Sequence, residues 1–176
     1  QDKVTTGFIL IAKSQEALVR LQVQIQKRIA SRDYLAVVHG VPAGDSGTIV
    51  GAIGRHPADR KKYAVVSDEN GRYACTHWSL QERLGDYSLL RFKLDTGRTH
   101  QIRVHCSHMN HPVVGDPTYS RCRKLPIDLP GQALHAFQLG LDHPINRERM
   151  VFEAPMPPVM DKLLGVLRRR NASGQC

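Results

Sequence analysis

Three stretches of the chain carry side chains of reactive type at places where the backbone must turn or change element. Asp2 opens Asp2-Lys3-Val4-Thr5-Thr6-Gly7, directly ahead of an apolar run. Taken alone, an Asp there reads as a capping or turn residue. Tyr34 stands at the entrance of the apolar segment Tyr34-Leu35-Ala36-Val37-Val38, where packing is its ordinary use. In Leu94–His105 a strand ends, Gly97 turns the chain, and a helix begins beside Arg98, an arrangement suited to a phosphate. Arg103 falls next to the inward positions Ile102 and Cys106 of that helix, and an arginine buried in this way needs a carboxylate partner.

A rival constellation is His100, His105, His108 and His111 with Cys106 among them, and histidines on a helix can ligate a transition metal. However, positions five apart on a helix point about 140° away from each other. No CxxC pair and no HExxH accompanies them, so metal is not expected.

These residues need elements to hold them. Phe8–Ala12 reads as a buried strand, and Ser14 as the N-cap of a helix running to about Ala30. Leu18, Leu21, Ile25 and Ile29 form its expected inner face, with Arg20, Gln24, Lys27 and Arg28 on the wetter side. Strands are predicted over Tyr34–Val38 and Thr48–Ile53, followed by a basic loop, Arg55–Lys62. Tyr63–Val66 and Arg72–Leu80 read as a hairpin through Asn70-Gly71. Tyr87–Leu94 is a further strand, and Arg98 to about Met109 a helix with Ile102, Cys106 and Met109 inward. A long loop, Gly115–Gly131, leads to strands Ala133–Leu141 and Arg149–Glu153 and a closing helix, Pro158–Arg170. Strands dominate without regular βαβ alternation, so the expected class is α+β with a mixed, mostly antiparallel sheet and packed helices.

Length and composition bound the function. The chain has 176 residues, 41% of them apolar, enough for one domain with a sizeable core and unlike a disordered tail. No apolar run approaches the length of a membrane span. Four cysteines without CxxC pairs suit reduced thiols and a cytoplasmic setting, or an organelle if a targeting segment precedes this sequence. The formal charge of +9 favours an anionic partner, nucleic acid ahead of a membrane.

Taken together, the stretches resemble the RNA pseudouridine synthases of the RluA type. Asp2–Gly7 resembles that family's RLDxxTSG motif, Tyr34 sits in an Arg-x-Tyr-x-Ala-x-Val-x-Gly pattern like its second motif, and Thr96–His105 is similar to GRTHQIRVH. His111–Tyr119 resembles HPLVGDxxY, and Leu134-His135-Ala136 its LHA. The stretches run in the family's order from Asp2 to about Pro157. The resemblance implies a pseudouridine synthase catalytic domain over residues 1–176 that lacks its N-terminal part.

It further implies an isomerase that breaks the N1–C1′ bond of uridine and joins C5 to C1′, with no cofactor because no net redox change occurs. Asp2 is the carboxylate acting at C1′, Arg103 the guanidinium that keeps it ionised, and Tyr34 the ring that stacks on the base. The uridine must be flipped out of structured rRNA or tRNA. Arg55, Arg60, Lys61, Lys62, Arg98, Thr99, His100, Arg121, Arg123 and Lys124 are the expected RNA contacts. The expected partner is RNA alone, bound by a monomer. The competing readings are a silent RNA-binding module on the same scaffold and a histidine-metal hydrolase.

Overall fold

The computed structural model describes residue 2, residues 4–120 and residues 125–174. Its centre is a sheet whose longest strands are β2 (Ser31–His39), β6 (Cys75–Arg83), β7 (Tyr87–Leu94) and β8 (Leu134–Asp142). Across the sheet β7 lies between β2 and β6, β8 lies on the other side of β2, and β3 (Ser46–Val50) forms the edge beyond β6. β9 (Arg149–Glu153) pairs with β8, as does the short β1 (Thr6–Gly7), which runs parallel to it; the other pairings among the described residues are antiparallel. The α+β class with a mostly antiparallel sheet is therefore observed.

Strand alternation sends residues to two cores. Ala36, Val38, Leu90 and Phe92 meet Ile102 and Cys106 of α2 (Gln101–His108) on one face. Val37 and Leu89 meet Met160, Leu163, Leu164 and Leu167 of α3 (Pro158–Ser173) on the other. A two-stranded ribbon, β4 (Ala52–Arg55) with β5 (Tyr63–Val66), covers the far side of α2 through Ile53, Tyr63 and Val65 against Val104. Helix α2 is thus packed on two sides, and every residue from Gln101 to Cys106 is buried. That double cover is what buries Arg103 and obliges it to find partners.

The structure corrects several expectations. Phe8–Ala12 is not a strand: pairing stops at Gly7, and Ile9 and Ile11 are exposed. Gly7, at φ +97°, turns the chain off β8, and a Cβ there would strike the Ala136 carbonyl. Helix α1 (Gln15–Gln26) starts at the expected Ser14 cap but ends earlier, at Lys27, followed by Arg28 with φ 58°. Leu18 and Ile29 are exposed, whereas Gln24 is buried because its amide bonds both the N–H and the C=O of Asp142. Thr48–Ile53 is two strands in different sheets. The expected hairpin through Asn70-Gly71 is a crossover, because β5 pairs with β4 and β6 pairs with β3 and β7. Turn chemistry was legible there; the partner was not.

Candidate active site

Asp2 lies ahead of β1, and its carbonyl accepts the Thr5 amide at 3.1 Å. β1 holds this loop against β8 through the pairs Thr6–His135 and Gly7–Ala136 and a bond of 2.9 Å from Thr6 Oγ1 to His135 Nδ1. Tyr34 comes from β2, just past an irregularity between Asp33 and Tyr34 in the pairing with β8. Arg103 comes from α2. All three line a pocket of about 360 Å³ together with Arg32, Gly97, Arg98, Thr99, His100 and Gln101.

The guanidinium of Arg103 divides its donors between two carboxylates. Nε and Nη2 form a fork on Asp116, at 2.7 and 2.8 Å, while Nη1 reaches Asp2 Oδ2 at 3.0 Å. Asp116 is fully buried and also accepts the amides of Thr118 and Tyr119. Burial acts to lower the pKa of Arg103, but the hydrogen bonds and charge of Asp116, and then of Asp2, outweigh it and raise the pKa. The fork fixes the plane of the guanidinium and leaves one edge for Asp2.

The other oxygen of Asp2, Oδ1, lies 3.2 Å from His100 Nε2. A carboxylate at that distance calls for an N–H on Nε2. His100 Nδ1 lies 2.8 Å from the Tyr119 hydroxyl, whose oxygen accepts the Tyr63 amide at 3.0 Å. The phenol therefore donates to Nδ1, and a neutral ring with its proton on Nε2 satisfies every member. Burial, helped by the charges of Arg103 and Arg55, pulls the imidazole pKa down against the opposing pull of Asp2 and Asp116. His100 adopts a left-handed conformation, φ 56° and ψ 21°, at the N-cap of α2, which begins at Gln101 rather than Arg98. Gln101 holds that turn: its amide oxygen accepts from Thr96 Oγ1 and the Arg98 amide, and its nitrogen donates to Thr76 Oγ1 and the Cys75 carbonyl.

Burial raises the pKa of the Tyr34 phenol; Arg32 lowers it and Asp2 raises it, so both charges act on this ring. Its hydroxyl keeps its proton near neutrality.

The expected RNA contacts fall in two groups. Arg98, Thr99 and His100 line the pocket, and Arg98 Nε donates to the Tyr73 carbonyl. Arg55 ends β4, and Arg60, Lys61 and Lys62 lie in the β4–β5 connection that follows it. The ribbon touches the site because Arg55 lies over Tyr63, whose ring meets His100 edge-on. Arg121, Arg123 and Lys124 lie outside the described residues.

Sequence reasoning missed Asp116, Tyr119 and Arg32 as site residues and gave His100 only an RNA contact. A signal was present: a buried arginine with five donors asks for more than one carboxylate oxygen, and Asp116 lies in one of the quoted motifs. The helix histidines do not gather around a common point. His105 Nδ1 meets Thr76 Oγ1, and His111 Nδ1 donates to the His39 carbonyl. Among the described residues, Cys75, His77 and Asp95 bring three ligand types together outside the pocket. Their carboxylate is already met by Arg28 at 3.1 Å and His77 at 3.2 Å, and burial raises the thiol pKa.

Fold and site together define a carboxylate-centred pocket with a basic rim. The sequence profile described as RNA pseudouridylate synthase matches residues 2–108. An uncharacterised RNA pseudouridine synthase of Synechocystis sp. is 49% identical over 170 residues, covering 96% of this chain and 52% of that protein. Ribosomal large subunit pseudouridine synthase D of Pseudomonas aeruginosa is 45% identical over 179 residues, covering 96% and 55%. The solved structure of human RNA pseudouridylate synthase domain containing 1 superimposes with a TM-score of 0.68 at 28% identity, over 89% of this chain and 73% of that one. The chain belongs to the RNA pseudouridylate synthase family. It spans about half the length of the curated relatives it matches.

Proposed function

We propose that the protein isomerises uridine to pseudouridine in structured RNA, with Asp2 acting at the sugar and Arg103 and Tyr34 as its partners. The observation that carries this reading is the Asp2 carboxylate, held on one oxygen by Arg103 and on the other by His100, at the wall of a pocket it shares with Tyr34. A carboxylate beside C1′ can attack that carbon, or stabilise oxocarbenium character and remove a sugar proton. Each course needs a carboxylate oxygen aimed at the sugar, which the Arg103 hydrogen bond to Oδ2 orients. Tyr34 offers a face for the uracil and a protonated hydroxyl for relaying the C5 proton. A uridine in folded RNA reaches these groups only when flipped from its stack, at a cost of a few kcal/mol. Phosphate contacts from Arg98 and the β4–β5 connection, and from Arg121, Arg123 and Lys124, offset that cost.

The chemistry needs no redox group and no metal, and the setting is cytoplasmic. Among the described residues no helix is long and apolar enough to cross a membrane. Ribosomal RNA is the favoured substrate over tRNA, because several relatives are named for the large ribosomal subunit. The experiment is a pseudouridine map of total RNA from cells with and without the gene, and with an Asp2→Asn copy restored. Loss of one or a few sites, not recovered by the variant, supports the reading. Maps that stay unchanged oppose it and favour an RNA-binding module without catalysis.

A further inference from the structure

The charges around the pocket do not cancel. Asp2 and Asp116 share the one guanidinium of Arg103, while Arg32 and Arg98 add two further cations and tip the balance to positive. Arg98 is steered by the Tyr73 carbonyl. Arg32 has less: its Nε is buried without a hydrogen-bond partner, and no ion pair among the described residues includes it. Arg32 as a whole is only half-buried and its head group lines the pocket, so an anion entering there would meet a guanidinium with no carboxylate partner among the described residues and one donor already shut off from water.

Its placement is specific. Arg32 precedes Tyr34 by two residues on β2, so both side chains face the pocket, whereas Asp33 between them pairs with Arg91 at 2.7 Å. Across the pocket the guanidinium lies over Gly97: a Cβ on that residue would stand 2.6 Å from Arg32 Nη1. Gly97 is not among the residues of positive φ. Its missing side chain therefore serves space, and the space is filled by the Arg32 head group. Arg98 follows at once, so the backbone turn over which Arg32 lies also presents the second cation.

We propose that Arg32 is an anion site of the substrate pocket that binds a backbone phosphate of the RNA strand beside the reacting uridine, with Gly97 kept bare to admit it. This deepens the function proposed above and rests on it for the identity of the ligand. A guanidinium fork matches two phosphate oxygens, and an anion here would lie within the field that already acts on Tyr34.

The test uses the intact protein, a single-stranded RNA oligonucleotide containing one uridine, and binding by fluorescence anisotropy across salt, a readout that does not require turnover. For Arg32→Met the slope of log affinity against log salt falls by about 0.7, one phosphate on a single strand. Tm holds or rises, because no pair is broken. A neutral methylphosphonate linkage at one of the two positions flanking the uridine weakens the wild type but adds no further loss to Arg32→Met. Gly97→Ala displaces the guanidinium, weakening the wild type and changing little in the Arg32→Met background. An unchanged slope, or a methylphosphonate penalty that persists in Arg32→Met, overturns the anion site. A drop in Tm with intact binding also overturns it and makes Arg32 a structural charge. If the wild type binds as expected but forms no pseudouridine in any RNA, the catalytic reading fails while the anion site stands.

Discussion

Each oxygen of Asp2 has its own donor, and the two donors are held by different means. Arg103 is fixed by a buried fork on Asp116, His100 by a chain from the Tyr63 amide through the Tyr119 hydroxyl. The second arrangement predicts a neutral imidazole that orients the carboxylate through Nε2–H. His100→Asn is the suitable probe because asparagine tolerates the left-handed backbone there. The expected result is a single-turnover rate lowered roughly 10- to 100-fold, the worth of one hydrogen bond to a charged group. RNA affinity should change far less. An equal loss in affinity with an unaltered rate would return His100 to phosphate binding. On the Arg103 side, Asp116→Asn leaves the guanidinium with one charged partner. Breaking a buried pair from one side costs about 3–5 kcal/mol, on the order of 10 °C in Tm for a domain of this size. A melting curve that matches the wild type would contradict the assignment of Asp116 as the anchor.

Elements deliver these residues, and much of their order was legible from sequence. The strand over Tyr34–Val38, the strand Tyr87–Leu94 and the helix ends around Ser14 and His108 follow from apolar spacing and capping chemistry that act locally. Two features were not legible because they depend on distant partners. The apolar run Phe8–Ala12 carries a strand composition yet leaves the sheet at Gly7, since the Ala136 carbonyl occupies the space beside that residue. Gln24 reads as a surface residue until the Asp142 backbone appears opposite it. At the site, Asp2, Tyr34 and Arg103 were singled out through motif resemblance and line one pocket, whereas Asp116 and His100 stand beside them through contacts across the fold. Gly7 yields an element-scale prediction. Gly7→Ala meets both a φ of +97° and a backbone carbonyl, so it should displace β1 and the Asp2 loop, costing at least about 1 kcal/mol and most of the turnover. Wild-type turnover in that variant would mean that the β1–β8 pairing does not position Asp2.

At the scale of the whole molecule, two cores on opposite faces of one sheet leave α2 in the most deeply covered position, with His105 inside it. Burial lowers the His105 pKa to about 4. An unfolded chain would titrate this residue near 6.5 and so binds more protons than the folded one between those values. Its contribution is therefore complete above pH 6.5 and is lost as pH falls toward 4, up to about 3 kcal/mol. Tm measured from pH 7 to pH 4 should fall more steeply for the wild type than for His105→Gln, and parallel curves would contradict a neutral buried imidazole. With RNA as the proposed partner, the formal charge of +9 means that raising salt should weaken RNA binding broadly. The central claim is narrower: the Asp2 carboxylate makes or breaks bonds at C1′. The most direct measurement is release of tritium from RNA carrying 5-tritiated uridine, followed over a single turnover for wild type and Asp2→Asn, with RNA affinity measured beside it. The account predicts release by the wild type and none by Asp2→Asn at affinity within a few-fold. Release by Asp2→Asn at a rate near that of the wild type would contradict it.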